Sequence, residues 1–297
     1  MNLLFSPKTF SSFKSLPTNS FWLNAVNEMG LTVSSIAAEG LSVTDVAEVD
    51  SFALFVAHAE RKTSESSDKR TSIFLMRKFS RQAFGLNAIL AWVGVIGSLA
   101  VDATGVVIVP QFGPSYFGGH ADGLAGSIPR VIDNLSYFTI WSNILVAITT
   151  TMIYRNMNRT SQRLKVMRLS GLMMISVTML VYILILAPDA NPQSWNIYTD
   201  LLLHYITPPV TILVWLFFGP RKWISWKIIF SSLLIPIIYI LYTFARGAVI
   251  GKYPYGFINV VELGYVGAIV GTGVVLVLGL FIFLVYFIID KLIPSSK

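Results

Sequence analysis

A histidine inside an apolar run is the residue of this sequence best suited to acid–base chemistry. His204 lies in LLLHYITPPV, whereas the other two histidines lie outside stretches long and apolar enough to cross a membrane. Ionisable side chains in hydrocarbon are costly, so they usually face a helix bundle and serve a function. Asp200 precedes His204 by four residues, which places both on one helix face, where the carboxylate can accept the Nδ1 proton. The structural alternative is a neutral imidazole that bonds a neighbouring helix, with Asp200 in the headgroup layer.

A hydroxyl nucleophile for this histidine could come from the segment DNLSYFTIWSN. Ser136, Thr139 and Asn143 are spaced by three and four residues, which predicts a polar stripe on one helix face. Thr139 and His204 both follow the outer starts of their apolar segments, so we expect them at comparable depth. A hydroxyl and an imidazole at one level are what a nucleophile and its general base require. Alternatively, Thr139 is structural and bonds the carbonyl four residues back.

Donors for a developing oxyanion can be named near these residues. Asn143, Ser142 and Tyr255 are the candidates, because each carries an N–H or O–H group near the outer half of the membrane. A kink is also predicted beside His204, since Pro208 has no N–H to donate to its carbonyl. Such a kink can open a cavity next to the imidazole.

A second group of residues, near the outer interface, could bind substrate. Arg246 can hold a carboxylate or a phosphate, and we expect Trp141 and Tyr253 to contribute aromatic contacts. Aromatic side chains at this level are also common as interfacial anchors. Glu262 could pair with Arg246 in place of a substrate.

The composition requires a membrane around these residues. Of the 297 residues, 54% are hydrophobic and 12% are charged, which is too apolar a balance for a water-exposed surface. The net charge of +7 does not indicate nucleic-acid binding, because basic residues of membrane proteins collect in cytoplasmic loops. The chain has no cysteine and three widely separated histidines, so we expect no disulfide, no metal and no cofactor. The expected partners are membrane lipids or a lipid-like substrate, and not nucleic acid.

Six apolar segments predict an all-α, polytopic membrane protein. Each approaches the roughly 20 residues that cross a bilayer. They cover residues 84–109, 131–154, 169–187, 201–218, 223–244 and 266–289. Basic residues precede the first segment and fill the second and fourth connections, which places both termini in the cytoplasm and requires an even number of spans. The expected location is the plasma (inner) membrane of a bacterium.

The N-terminal part of the chain differs in composition from the rest. Ser, Thr, Asn and Lys are scattered there among short apolar patches, none of which could span a bilayer. Residues 61–70, RKTSESSDKR, are polar throughout and predict a flexible linker. We therefore divide the chain into a cytoplasmic, partly disordered extension, residues 1–82, and a six-helix domain, residues 83–297.

Three short segments resemble a known membrane-protein family. Tyr137-Phe138-Thr139 opens the second span, His204 is followed by proline in the fourth, and residues 251–255, GKYPY, precede the last span. Together they resemble the androgen-induced and androgen-dependent integral membrane proteins, most of all their bacterial six-helix relatives. Members have six spans with both termini in the cytosol, and characterised animal members are threonine hydrolases that cleave fatty acid esters of hydroxy fatty acids. The resemblance covers the six-span region and implies Thr139 as nucleophile with His204 as its partner.

The sequence leaves more than one class of function open. The leading hypothesis is an intramembrane lipid ester hydrolase, in which His204 takes the Thr139 proton as the Thr139 oxygen attacks the ester carbonyl. The alternative is a small-solute transporter or lipid-binding membrane protein that uses the same polar cluster to hold its ligand or a proton. A third is a structural subunit with contacts through Arg246 and the N-terminal extension. A hydrolase needs the Thr139 hydroxyl itself, whereas a binding site loses affinity gradually without it.

Overall fold

The described part of the chain is built from helices. The computed structural model describes residues 43–105, 113–188 and 190–293, and within these ranges the regular elements are helical, with no strand. The chain divides into two compact units, Met1–Phe74 and Leu75–Lys297, and the residues discussed below for function lie in the second. The predicted all-α class is confirmed.

Within the described residues we number nine α-helices in chain order. They are α1 (Val43–Thr104), α2 (Ser127–Asn134), α3 (Phe138–Arg155), α4 (Gln162–Val181), α5 (Trp195–Asp200), α6 (Thr207–Phe218), α7 (Trp226–Ser232), α8 (Leu234–Ile250) and α9 (Val260–Leu292). Two π-helical segments adjoin them: Tyr182–Leu186 continues α4, and Leu201–Ile206 joins α5 to α6. The first π segment therefore ends the helix of α4, and the second lies within the stretch Trp195–Phe218.

The lengths and hydropathy of these helices are those of a multi-pass membrane protein. Five stretches are long and apolar enough to cross a bilayer. They are Phe74–Thr104, Gln162–Leu186, Trp195–Phe218, Trp226–Ile250 and Val260–Leu292. The bent pair Gly123–Asn134 and Phe138–Arg155 makes a sixth span if counted as one, with an angle of 74° between its halves. Large apolar side chains such as Phe230, Leu241 and Val266 are exposed on these helices, as expected of lipid-facing residues.

The helix α4 lies at the centre of the bundle. It packs against α3, α6, α7 and α9, and its side chains are buried in consecutive positions, as at Leu172, Met173, Met174 and Ile175. A helix that is apolar on every face is stable only where neighbours surround it. The helix that carries Thr139, α3, therefore lies against one side of α4, and α9 lies against another.

The second span differs from the continuous helix that the sequence predicts for residues 131–154. The helices α2 and α3 are separate and meet at a turn that contains Ser136, so the predicted polar stripe shared with Thr139 is wrong for Ser136. The Ser136 hydroxyl donates to the carbonyl of Ile132 at 2.7 Å. The same hydroxyl oxygen lies 2.7 Å from the hydroxyl oxygen of Tyr242. Short polar side chains compete in this way with the helical hydrogen-bond ladder.

The N-terminal region also departs from expectation where it is described. Residues 61–70, for which the sequence predicts a flexible linker, are helical and belong to α1. The predicted disorder of residues 1–42 lies outside the described residues, as does the predicted end of the first span at residues 106–109.

The predicted orientation can be tested with single cysteines, because the chain contains none. Thr160 is exposed between α3 and α4, and Asp122 is exposed before α2. With both termini in the cytoplasm, a membrane-impermeant maleimide added to intact cells should label Asp122→Cys and not Thr160→Cys. Permeabilised cells, in which both variants should react, are the control. Labelling of Thr160→Cys alone in intact cells would show that the orientation is opposite to the predicted one.

Candidate active site

A hydroxyl, an imidazole and a carboxylate are linked by hydrogen bonds between α3 and the fourth span. The Thr139 Oγ1 atom lies 3.1 Å from Nε2 of His204, and Nδ1 of His204 lies 2.9 Å from Oδ1 of Asp200. The exposed fraction is 13% for the His204 side chain and 19% for that of Asp200, so both are shielded from bulk water. A carboxylate at Nδ1 favours the tautomer that carries its proton there, which leaves the Nε2 lone pair facing the hydroxyl. This arrangement can deprotonate Thr139 as it attacks an electrophile.

Each of these residues stands at the end or break of a helix. Thr139 is the second residue of α3, Asp200 is the last residue of α5, and His204 follows one turn later in the π segment. The spacing of Asp200 and His204 predicts their pairing. The contact of His204 with Thr139 depends on which helices are neighbours, and helix adjacency cannot be read from the sequence.

Tyr182 holds the imidazole and the carboxylate from a third helix. Its ring stacks on that of His204 with centroids 3.7 Å apart and planes inclined by 11°. Its hydroxyl donates to Oδ2 of Asp200 at 2.8 Å. Sequence reasoning missed Tyr182, because an aromatic residue near a span end carries no signal of its partner on another helix. The ring of His204 is therefore fixed by stacking as well as by hydrogen bonds.

The predicted kink beside His204 takes the form of a π segment, Leu201–Ile206. The N–H of Thr207 donates to the carbonyl of Leu202, five residues back and not four. In this register the carbonyl of Leu203 would need the N–H of Pro208, which proline lacks. A backbone carbonyl in apolar surroundings must find a donor elsewhere.

Asn143 supplies that donor. Its Nδ2 lies 3.3 Å from the carbonyl oxygen of Leu203 and 2.9 Å from that of Thr139, one turn earlier on α3. Asn143 is fully buried, and among the described residues its Oδ1 atom has no hydrogen-bond partner. Its side chain thus ties α3 to the backbone next to His204, at the level where Thr139 meets the imidazole.

Tyr255 caps the start of α3 on the side of Thr139. Its hydroxyl oxygen accepts from the N–H of Phe138 at 3.0 Å and also interacts with Thr139. Burial raises the pKa of Tyr255 to about 12, so the phenol keeps its proton at neutral pH. Backbone N–H groups and partial positive charge at the start of a helix favour a negatively charged oxygen here. The phenol proton of Tyr255 can be donated to such a negatively charged oxygen.

The other two predicted oxyanion donors point elsewhere. The Ser142 hydroxyl lies 2.8 Å from the carbonyl of Thr139 and 2.9 Å from the Thr178 hydroxyl. Both N–H groups of Asn143 are directed at backbone carbonyls. Of the three candidates only Tyr255 borders the cavity described next. Ser142 and Asn143 therefore contribute to helix packing and positioning.

An apolar cavity begins at Thr139. Phe138, Thr139, Tyr182 and Tyr255 line its outer end, and α4, α8 and α9 supply its walls. Most of the wall is aliphatic, and its residues include Val177, Val181, Pro236, Ile240, Val275 and Leu276. The Thr139 hydroxyl thus lies between this cavity and the imidazole of His204, as a nucleophile for a hydrophobic substrate would.

A second opening borders the Asp200 end of the triad that Thr139, His204 and Asp200 form. Tyr182, Asp200, Leu201 and Tyr205 line it, with residues of the connection between the third and fourth spans. Tyr182 borders both this opening and the apolar cavity. The Asp200 carboxylate therefore borders this opening, while the Thr139 hydroxyl borders the apolar cavity.

Arg246, predicted to bind substrate, is engaged in an ion pair away from the cavity. Its Nη2 donates to Oδ1 of Asp133 at 2.6 Å, and its guanidinium lies 4.4 Å from the centre of the Phe117 ring. Oδ2 of Asp133 lies 2.6 Å from Nε2 of His120 and accepts from the N–H of Gly118 at 3.0 Å. These contacts fasten the loop that precedes α2 to the helices α2 and α8.

The other residues of the predicted substrate-binding group also lie off the cavity wall. Trp141 stacks on Tyr242, and Tyr253 is buried with 1% of its surface exposed. Glu262 accepts hydrogen bonds from Ser115 and Tyr116, so its predicted pairing with Arg246 is wrong. The structure therefore places Arg246, Trp141 and Tyr253, the predicted substrate-binding residues, off the wall of the apolar cavity.

Comparison with known proteins identifies no relative. No protein-family model, no curated protein and no solved structure matches the chain. Among the described residues, no three His, Asp or Glu side chains are grouped so that they could hold a metal ion. Function is therefore argued from the geometry of the site.

Replacing Asn143 with leucine should destabilise the protein, because the Leu203 carbonyl loses its donor. An unpaired buried carbonyl costs about 1–3 kcal/mol, part of which the removal of the unpaired Oδ1 offsets. Thermal unfolding of the detergent-solubilised protein measures the loss. Thr150→Val is the matched control, since Thr150 is equally buried on α3 but bonds only carbonyls of its own helix. Equal losses in the two variants would show that the bond to Leu203 contributes nothing.

Proposed function

We propose that the protein is an intramembrane lipid ester hydrolase with Thr139 as nucleophile and His204 as general base. The observation that carries the proposal is the 3.1 Å contact between Thr139 and His204 at the head of an apolar cavity. A structural threonine in a membrane helix bonds its own backbone. This hydroxyl instead faces a base that a carboxylate orients.

The first step forms an acyl-threonine. Thr139 Oγ1 attacks the ester carbonyl carbon while its proton moves to Nε2 of His204. Asp200 stabilises the resulting imidazolium without taking its proton. The tetrahedral intermediate then breaks its bond to the alcohol oxygen, which receives the proton from Nε2. The alcohol leaves, and the acyl group stays on Thr139.

Water completes the cycle. Nε2 of His204 takes a proton from a water molecule whose oxygen attacks the acyl carbon, and the carboxylic acid is released as the Thr139 oxygen regains that proton. The opening beside Asp200 and Tyr205 reaches the carboxylate end of the triad and is separate from the apolar cavity. In this mechanism substrate would enter through the apolar cavity and water through this opening.

Tyr255 is the proposed oxyanion donor. It borders the cavity, it contacts Thr139, and its phenol carries a proton at neutral pH. The partial positive charge at the start of α3 would add to this stabilisation.

The cavity wall favours an acyl chain of a membrane lipid or a lipid-like ester as the substrate. Aliphatic side chains dominate the wall, and a polar solute would find few hydrogen-bond partners there. The helices α8 and α9 both line the cavity but make few close contacts with each other. A chain could therefore enter between them directly from the lipid.

We also propose that the protein is a relative of the bacterial six-helix members of the androgen-induced and androgen-dependent family, and resides in the plasma (inner) membrane of a bacterium. The support is the Tyr137-Phe138-Thr139 tripeptide, the His204 segment with its prolines and the GKYPY segment. The nucleophile and partner implied by that resemblance are the two residues that meet in the site.

A lipid-binding protein or small-solute transporter is the alternative. The same cavity could hold an acyl chain without cleaving it, with the polar cluster as the recognition site for its head group. The two proposals differ in the need for the Thr139 hydroxyl.

Purified protein should react covalently with a tagged alkyl fluorophosphonate. In this reaction the Thr139 oxygen bonds to phosphorus, fluoride leaves, and the hydroxyl proton passes to His204. Labelling, read as in-gel fluorescence, should be absent in Thr139→Ala, retained in Thr139→Ser, and about a hundredfold or more slower in His204→Ala.

Thr149→Ala is the matched control for this experiment. Thr149 lies on α3 and is fully buried, but its hydroxyl bonds only carbonyls of its own helix, so labelling should match the wild type. Thermal unfolding checks that every variant is folded. Folded wild type that does not label would overturn the hydrolase proposal. Ligand affinity that declines only gradually in Thr139→Val would then support the binding alternative.

Tyr255→Phe should slow fluorophosphonate labelling about a hundredfold, because the phosphonyl oxygen loses a hydrogen-bond donor. Tyr242→Phe removes a hydroxyl that contacts Ser136 outside the cavity, and should leave the rate unchanged. The rates come from a time course of labelling. A wild-type rate in Tyr255→Phe would exclude this phenol as the oxyanion donor.

A further inference from the structure

The apolar cavity is elongated along the helices. On α4 and its π extension, the residues that line it run from Leu186, past Tyr182 beside the triad, to Met173. On α9 they run from Thr272 to Gly279. Tyr182 and Met173 are nine positions apart in the sequence, which corresponds to about 13 Å at 1.5 Å per residue. The cavity is therefore long and has one reactive end.

The far end is closed where α4 meets α9. A Cβ atom built on Gly279 would lie 3.1 Å from the sulfur of Met173, so the two helices are in contact at this level. Met173 is buried, with 3% of its surface exposed. Met173 and Gly279 together form what we call the cavity floor.

Along its length the cavity offers no free polar group that the structure describes. Two threonines line it between the triad and the floor, and both hydroxyls have partners within the protein. The Thr178 hydroxyl lies 2.9 Å from that of Ser142, and the Thr272 hydroxyl donates to the carbonyl of Ala268 at 2.7 Å. The wall therefore suits methylene groups and disfavours a polar substituent on the chain.

We infer that the cavity is a ruler for the acyl chain, with Met173 and Gly279 as the residues that set the length accepted. A zigzag of bonds of about 1.5 Å at an angle of about 111° advances roughly 1.25 Å per carbon. The distance from the triad to the floor then holds roughly ten carbons. This inference rests on the proposed function and adds the substrate class: esters of medium-length acyl chains without polar substituents.

The test is a series of alkyl fluorophosphonates with chains of roughly 4 to 16 carbons. In the wild type, the second-order labelling rate should rise up to roughly fourfold per added methylene, because each one buries apolar surface. The rise should stop near ten carbons, where the chain meets the floor.

Two variants should move this limit in opposite directions. Gly279→Leu fills the floor and should move it to chains about three carbons shorter, whereas Met173→Ala removes three heavy atoms from the floor and should move it to chains about three carbons longer. Gly273→Leu is the matched control, because Gly273 lies on the same helix, off the cavity, and has no atom within 4 Å of a built Cβ. Its chain-length profile should match the wild type.

The outcomes separate the ruler from the proposed function. No labelling at any chain length would overturn the hydrolase proposal itself. Labelling that keeps rising to the longest probe, or profiles that are the same in wild type, Gly279→Leu and Met173→Ala, would overturn the ruler and leave the nucleophile in place. If Gly279→Leu fails to fold, the shift in Met173→Ala decides the question.

Discussion

Pro208 and Pro209 follow His204 by four and five residues, and neither can donate a backbone hydrogen bond. Inside a membrane a carbonyl without a donor is costly, because no water is at hand to replace it. The segment before α6 has a π register, and the side-chain amide of Asn143 on α3 donates to the Leu203 carbonyl. This constraint on the backbone thus brings α3 and the segment of His204 together, and the Thr139–His204 contact occurs at the same level.

A second constraint acts on the start of α3. The second span is broken, so the first N–H groups of α3 lie inside the protein and face Tyr255 and Thr139. The outer layer around Asp133 holds this break in place, since Arg246, His120 and a backbone N–H all bond its carboxylate. Charged residues in that layer support the site through the backbone and do not line the cavity.

Hydropathy and spacing predict much of this arrangement. The apolar segments follow from composition, and the pairing of Asp200 with His204 follows from their separation on one helix. The stripe of Ser136 with Thr139 is wrong, because periodicity assumes an unbroken helix and the side chains of this turn compete for its hydrogen bonds. Tyr182 and the Asp133–Arg246 pair could not be predicted, since contacts between helices depend on rotation and depth. For the same reason the expected partner of Arg246 was wrong: Arg246 bonds Asp133, and Glu262 accepts from Ser115 and Tyr116.

The two spaces that meet at Tyr182 have a practical consequence for anyone who purifies this protein. One is a hydrocarbon-like cavity that Thr139 lines, and the other is an opening that Asp200 lines, so the site borders two separate spaces. An alkyl detergent resembles the chain that the cavity suits, and the micelle supplies it at high concentration. Extraction from the membrane would then introduce a competing ligand, and occupancy of the cavity would depend on the length of the detergent tail.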